Sequence, residues 1–384
     1  MDPAQTPFFQ LRNEEGVIFL DGAREGLLPT SLLDTYCTVT NGQTQLAKVQ
    51  ELSRELIKSS GWKFESILFH GSASAGLSQI VELICCGEEN LFLIDPYLKN
   101  STLRSLPQEE NSVEILRRDA QELLKTSSLP GRISQNQVIV CLNHLSSLSG
   151  LEERVLEFHR SLKIQREVEG KEQFLIVDGS QGAAMGLAIP SCDAYFISFQ
   201  ELFGFPGGAY LLSPTLCRYL QAKIGKEQDL QNLVESTLPP LFLIQLFRNF
   251  MEFQKDLEDG VLCKEFDRDE HVCALQAEFA QEFPKFEGWE LHPFDPLLSH
   301  GITWFRGPDS VSAKISKELQ EYGIIHSFGS LFELNFPLAS EYCNFTDGTR
   351  CLFRLSFQWY NTSVQVKRVL HLLNLLIPRY QKDA

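Results

Sequence analysis

Apolar residues along the chain follow two alternating patterns. Leu46, Val49, Leu52, Leu56 and Ile57 recur at the spacing of a helix buried along one face, and Gly61 closes that segment. Ile67 to Phe69 then reads as a short buried strand. The small-residue turn Gly71-Ser72-Ala73-Ser74-Ala75-Gly76 leads into a helix carrying Leu77, Ile80, Val81 and Ile84. Further short apolar runs read as strands: Leu91 to Ile94, Val138 to Leu142, Phe174 to Val177, Tyr195 to Ile197 and Ala209 to Leu212. Amphipathic helices lie between several of them, as around Val155, Phe158 and Leu162. Strands that are apolar on both faces and separated by helices predict an α/β three-layer sandwich with a mostly parallel central sheet.

After about Leu243 the texture changes. A long charged helical region is expected over Phe247 to Phe286. Beyond it, a strand at Gly301 to Phe305, a helix at Val311 to Tyr322, strands at Gly323 to His326 and Leu352 to Phe357, and a helix at Ser363 to Leu376 predict a smaller C-terminal α/β layer. The expected organisation is a large domain over 30–245 and a small domain built from 1–29 and 246–384. No internal repeat or low-complexity linker interrupts it.

Composition narrows the function classes. The 384 residues are 43% apolar and 22% charged, enough for a substantial core without metals or disulfides. Acidic residues outnumber basic ones 50 to 34, a net charge of −16, and no run of Lys and Arg offsets it. Nucleic acid and anionic membrane surfaces are therefore not expected partners. No apolar stretch approaches the ~20 residues that cross a bilayer. The chain opens Met1-Asp2-Pro3 without a signal segment, so a cytoplasmic location is expected. Ten cysteines show no CxxC pair and no metal-ligand spacing, and several sit inside apolar runs such as Val138-Ile139-Val140-Cys141-Leu142. They read as free core thiols, and no metal site is expected.

Candidate chemistry gathers at strand ends. Ser72-Ala73-Ser74 joins a strand to a helix, where small residues let backbone N–H groups meet an anion, although a tight turn needs the same residues. Asp178 ends the run Phe174-Leu175-Ile176-Val177, where an acidic residue either meets a ligand or caps the next turn. Ser198 ends the following strand, and Gly204-Phe205-Pro206-Gly207-Gly208 follows Glu201. Several such features in order weigh more than any one.

Taken together these segments resemble the class V aminotransferases, pyridoxal-phosphate enzymes that include the cysteine desulfurases. Ile197-Ser198-Phe199-Gln200-Glu201-Leu202-Phe203-Gly204-Phe205-Pro206 is most similar to the sulfurase domain of molybdenum cofactor sulfurase. Ile18-Phe19-Leu20-Asp21-Gly22-Ala23 is similar to the group's opening "YLDNAA". Phe353-Arg354-Leu355-Ser356-Phe357-Gln358-Trp359-Tyr360-Asn361-Thr362 is similar to its "R-x-S-x-x-x-YNT" segment. The resemblance implies the pyridoxal-phosphate-dependent transferase fold type I. It also implies that Ser72, Ala73, Ser74 and Ser198 hold the phosphate, that Tyr97 stacks on the ring and that Ser147 stands at the cofactor's side. Asp178 would meet the ring nitrogen, Gln181 the ring hydroxyl, and Arg354 a substrate carboxylate. A homodimer, an active relative as partner and an amino-acid-like small molecule are implied in the same way.

The resemblance breaks at one place. The group's "S-x-H-K" lysine, which forms an imine with the cofactor, is replaced in the frame Ser198-Phe199-Gln200-Glu201 by Glu201, and its histidine neighbour by Gln200. A carboxylate forms no imine with an aldehyde. No lysine lies between Lys171 and Lys223. Lys99, two residues past Tyr97, falls in a motif that supplies none in the group and is not expected at the site. The desulfurases' mobile cysteine is also missing near Tyr322 to Ser330, with Cys343 offset downstream. Thr237 matches the group's threonine that reaches the partner subunit only after a shift of one place. The expectation is a catalytically inactive or strongly altered member with a binding or regulatory role, holding pyridoxal or pyridoxamine phosphate non-covalently if at all. The alternative is a pyridoxal-phosphate-dependent lyase, sulfurase or transferase acting on an amino acid with Glu201 as general base.

Overall fold

A strand that is apolar at every position has to bury both of its faces, and this requirement organises the chain. The computed structural model describes residues 17–21, 46–85, 90–106, 112–118, 123–129, 137–225, 240–258, 267–292, 299–331, 333–334, 336–339, 351–358 and 360–382. Its strands are β1 (Ile18–Phe19), β2 (Ser66–His70), β3 (Asn90–Ile94), β4 (Ser112–Ile115), β5 (Gln137–Asn143), β6 (Glu172–Asp178), β7 (Ala194–Ser198), β8 (Gly208–Leu212), β9 (Glu290–Leu291), β10 (Ile302–Arg306), β11 (Ile324–Ile325), β12 (Ser327–Gly329) and β13 (Leu352–Ser356). The helices are α1 (Leu46–Ser60), α2 (Ala73–Cys85), α3 (Asn100–Leu103), α4 (Val155–Glu169), α5 (Ser180–Ala184), α6 (Phe199–Phe203), α7 (Pro214–Ile224), α8 (Pro240–Glu258), α9 (Arg268–Glu282), α10 (Asp309–Glu321) and α11 (Ser363–Gln381).

Seven strands form the central sheet in the order β2-β8-β7-β6-β5-β3-β4, and every neighbouring pair is parallel except the two made by β8. The two-residue side-chain period splits the core. Val138, Val140 and Leu142 of β5 pack in one apolar cluster with Phe158 of α4 and Phe247 of α8. Ile139 and Cys141 pack in another with Leu77 and Ile80 of α2 and Leu216 of α7. The predicted three-layer α/β sandwich is therefore observed. β4 carries exposed residues at three of its four positions, so an edge strand of this kind leaves no apolar run to read.

The C-terminal elements form a third cluster. β12-β13-β10-β9 is an antiparallel sheet packed against α9, α10 and α11. Ile18 and Leu20 join the same cluster, and β1 pairs in parallel with β11. The long helical region expected over 247–286 is instead two helices. α8 begins earlier, at Pro240, and α9 is started afresh by Asp267, whose side chain accepts from the Glu270 N–H at 2.9 Å. The single strand expected at 323–326 is also corrected. β11 and β12 belong to different sheets, and the chain changes sheet at His326, whose ring is held by Ser316 Oγ and Ile324 O at 3.0 Å each.

Cys85, Cys141, Cys192, Cys217, Cys273 and Cys351 are free thiols, and the remaining four cysteines lie outside the described residues. Burial pushes the Cys217 thiol up to about 12, which makes it inert. Among the described residues no helix is long and apolar enough to cross a membrane.

Where β6 passes into α5 the packing is so close that only glycine fits at two positions. A Cβ at Gly179 would overlap the Tyr195 ring, and one at Gly182 would overlap the His144 imidazole. Neither ring can swing aside, because Tyr195 is fully buried and its hydroxyl bridges His144 Nδ1 at 2.8 Å and Gly179 O at 3.2 Å. Gly179→Ala and Gly182→Ala are each expected to destabilise the fold by about 2–3 kcal/mol in urea unfolding, against under ~0.5 kcal/mol for exposed Ser59→Ala.

Candidate ligand-binding site

The parallel strands of the sheet point their carboxyl ends the same way, and helices α2, α5 and α6 start from that edge. Ligands of open α/β sheets bind there. A cavity of about 420 Å³ opens at this edge. Of the residues predicted from the sequence, Ser72, Ser74, Asp178, Ser198, Gln200, Glu201 and Arg354 line it. Ala73 sits between the two serines at the first position of α2.

Three predicted residues stand elsewhere. Tyr97 is fully buried beside Leu148, Trp304 and Phe336, and the Arg118 guanidinium lies 3.8 Å over its ring. That cation covers one face of the ring, and Tyr97 is not among the residues that line the cavity. Ser147 meets Arg354 through its backbone, the carbonyl accepting from Nη1 at 3.1 Å. Although its neighbour Ser180 lines the cavity, Gln181 is buried and does not. Its amide is buried, with neither Nε2 nor Oε1 hydrogen-bonded among the described residues. Thr237 and Cys343 lie outside the described residues.

Lys99 corrects the expectation most directly. It precedes α3 in an extended conformation and sends its side chain into the cavity. Nζ stands 2.6 Å from Glu201 Oε1, with the two side chains only 15% and 13% exposed. The cavity's lysine thus comes from the segment before α3, and the α6 carboxylate Glu201 is its partner.

Asp178 lies between charges of both signs. Its Oδ1 accepts from Ser180 N at 3.1 Å and its Oδ2 from Thr102 Oγ1 at 3.2 Å. Burial and then the Glu201 carboxylate push it up to about 6, against the pull of Lys99 and the Ser180 N–H. Arg354, on β13, is already engaged. Its Nη2 donates to Ser327 Oγ at 2.8 Å and approaches Asp21 Oδ1 at 3.5 Å, and Ser327 in turn donates to Asp21.

Beneath the loop that carries Lys99 lies a buried ion cluster. Arg118 joins Asp95 at 2.5 Å and Glu153 at 2.6 Å. Asp95 also accepts from the Tyr97 N–H at 2.8 Å and from Asn143 Nδ2 at 2.8 Å. Burial pushes Glu153 up to about 7 even though Arg118 pulls the other way. These contacts hold the chain from 95 to 99 against β5 and set the direction from which Lys99 enters.

Sequence reasoning missed Lys99, Thr102, Ser180 and Ser327 as cavity residues. Ser180 had a signal, since it follows Asp178-Gly179 at a strand end, and its Oγ accepts from Ser198 N at 2.9 Å. Thr102 and Ser327 carry no local signal, because only the packing of distant elements brings them to the wall.

No family model matches the chain, and no curated protein matches it. Solved structures do. The cysteine desulfurase CsdA from Escherichia coli superposes with a TM-score of 0.74 at 17% identity, covering 98% of this chain and 99% of that one. The fold is that of the cysteine desulfurases. A cysteine desulfurase from Thermococcus onnurineus NA1 gives 0.74 at 16% identity over 97% of both chains. A NifS-like protein from Rickettsia africae ESF-5 gives 0.71 at 13%, covering 94% of this chain and 99% of that one. The cysteine desulfurase fold, a pyridoxal-phosphate-dependent transferase fold of type I, accordingly spans nearly the whole chain. Identity this low carries the architecture and leaves each residue's role to its own geometry.

The raised Asp178 carboxyl has a measurable signature. The folded protein holds this proton more tightly than the unfolded chain, whose ordinary value is 3.8. At this site folding stability therefore falls as pH rises from about 4 to about 6 and is level above that. Asp178→Asn should flatten that part of the ligand-free stability curve and raise stability at pH 7.5 by about 1–2 kcal/mol, read by chemical unfolding at each pH.

Proposed function

We propose that this chain is a strongly altered member of the class V aminotransferase group. It keeps the small-molecule pocket and serves a binding or regulatory role in place of amino-acid turnover. The observation that carries this reading is Glu201 on α6, at the position the resemblance assigns to the imine-forming lysine and neutralised by Lys99 at 2.6 Å. Its likeness to the sulfurase domain of molybdenum cofactor sulfurase, a homodimer or a pair with an active relative, and a cytoplasmic location belong to the same proposal.

The donors present fit a vitamin B6 phosphate held without a covalent link at position 201. A buried acid pushed up to about 6 is a carboxylate short of a cation, and a protonated ring nitrogen is such a cation. Asp178 would hold that nitrogen. Ser72, Ser74 and Ser198 would donate to the phosphate, beside the N-terminus of α2. When bound, the cofactor supplies an electron sink for chemistry next to an amine. Glu201, as a carboxylate, holds a proton or a cation at that point and forms no bond to carbon there. Arg354 faces the cavity while engaged with Ser327 and Asp21, so binding a carboxylate requires it to share those contacts.

Equilibrium dialysis with pyridoxamine 5′-phosphate tests the pocket. Saturable binding at one equivalent per chain is expected, weakened about 10-fold or more in Asp178→Ala through loss of a charge-assisted contact. Absence of binding would remove the reading. Turnover of an amino acid by the wild-type protein, lost in Glu201→Gln, would replace it with an enzyme using Glu201 as general base.

A further inference from the structure

We infer that Lys99 is the carbonyl-reactive amine of this cavity, capturing a phosphate-bearing aldehyde as an imine with Glu201 as its proton acceptor. The inference rests on the pocket reading above and adds a covalent anchor on the wall opposite α6. Three observations converge on it. Lys99 enters the cavity and does not run out along the surface, and its side chain is only 15% exposed. Its Nζ has a carboxylate oxygen at 2.6 Å, within the distance at which a side chain takes a proton directly. The residues flanking the same cavity, Ser72, Ser74 and Ser198, are hydroxyl donors suited to an anionic group and leave Lys99 as the cavity's amine.

An ion pair serving the fold alone would gain little here. A partly buried pair roughly breaks even against apolar side chains of the same volume. Both groups, moreover, line an open space and are not packed between layers. The pair is better placed for chemistry. A lysine amine adds to carbonyl compounds once it has lost a proton; the resting ion pair favours the ammonium, and the part of Glu201 is to take that proton as the nitrogen bonds to carbon.

The step balances without an outside reactant. The Lys99 ammonium passes one proton to Glu201, and the neutral nitrogen forms a bond to the aldehyde carbon. The carbonyl oxygen leaves as water, taking two of the three ammonium hydrogens, one of them returned by Glu201. The products are a protonated imine on Lys99, one water and an ionised Glu201 that faces the new cation. Nothing is oxidised or reduced. The Glu201 carboxylate ends beside the imine as it began beside the ammonium, so the charge of the Lys99–Glu201 pair is unchanged by the step.

The experiment uses the full chain with pyridoxal 5′-phosphate as aldehyde probe, followed by borohydride reduction and peptide mass mapping. The expected result is one equivalent of label, concentrated on Lys99, with a visible imine absorbance before reduction. Lys99→Arg keeps the charge and the Glu201 contact but cannot form the imine. It should lose the absorbance and the label while retaining a wild-type melting curve. Glu201→Gln should slow imine formation at least ~10-fold and leave the site of labelling unchanged. Label spread over surface lysines with no excess at Lys99, or an absorbance that survives in Lys99→Arg, would overturn the inference. Dialysis of pyridoxamine 5′-phosphate, which has no aldehyde, separates the two claims. Its binding without label on Lys99 defeats the covalent anchor alone, and its failure to bind defeats the pocket reading beneath it.

Discussion

The arrangement of the cavity depends on one buried carboxylate. Asp95 ends the run from β3 and accepts hydrogen bonds from Arg118, Asn143 and the Tyr97 N–H, at 2.5, 2.8 and 2.8 Å. A carboxylate with no exposed surface is tolerable only when its oxygens are satisfied in this way. Each contact has a consequence. The Asn143 bond ties β3 to the end of β5, the Arg118 bond draws a cation over Tyr97, and the Tyr97 bond turns the chain. With the turn made, Lys99 enters the cavity and α3 begins. Glu153 completes the balance around Arg118, so two acids and one base are buried together where no water reaches them.

From that turn follows the pairing inside the cavity. The site has an amine just before α3 and a carboxylate on α6, 2.6 Å apart. The two residues are mutually consistent. A glutamate alone beside Asp178 would place two carboxylates in one pocket, and a lysine alone would leave a cation without a local partner. Lys99 faces Glu201 and also pulls against the Asp178 proton, but burial and the Glu201 carboxylate outweigh it and hold Asp178 up at about 6.

The central sheet was legible because its strands are continuous apolar runs, such as Val138 to Leu142, between amphipathic helices. Residues at strand ends, Asp178 and Ser198 among them, were legible for the same reason, since a strand's end is visible where its apolar run stops. Tyr97 and Lys99 were not. An aromatic residue two positions from a lysine offers either side chain to a cavity, and the choice was made by Arg118, which lies 21 residues on and binds to Tyr97's face. The change of sheet at His326 was hidden likewise, because four apolar and polar residues in a row read as one strand until their partners are known. Local pattern reports periodicity and termination; it does not report which distant cation covers a ring.

One wall of the cavity has an unusual history in the chain. Arg354 is steadied by Asp21, 333 residues earlier, while β1 beside Asp21 pairs with β11. A nascent polypeptide emerging from the ribosome would finish the central sheet, with Asp178 at the end of β6 and Glu201 on the helix α6, long before this wall had its arginine. Its first strand would wait, unpaired and apolar, for a mate made near the end of synthesis. Closing so large a loop is an entropic debt settled late. Of the residues that line the cavity, Arg354 is the one made last, so this wall is completed only near the end of the chain.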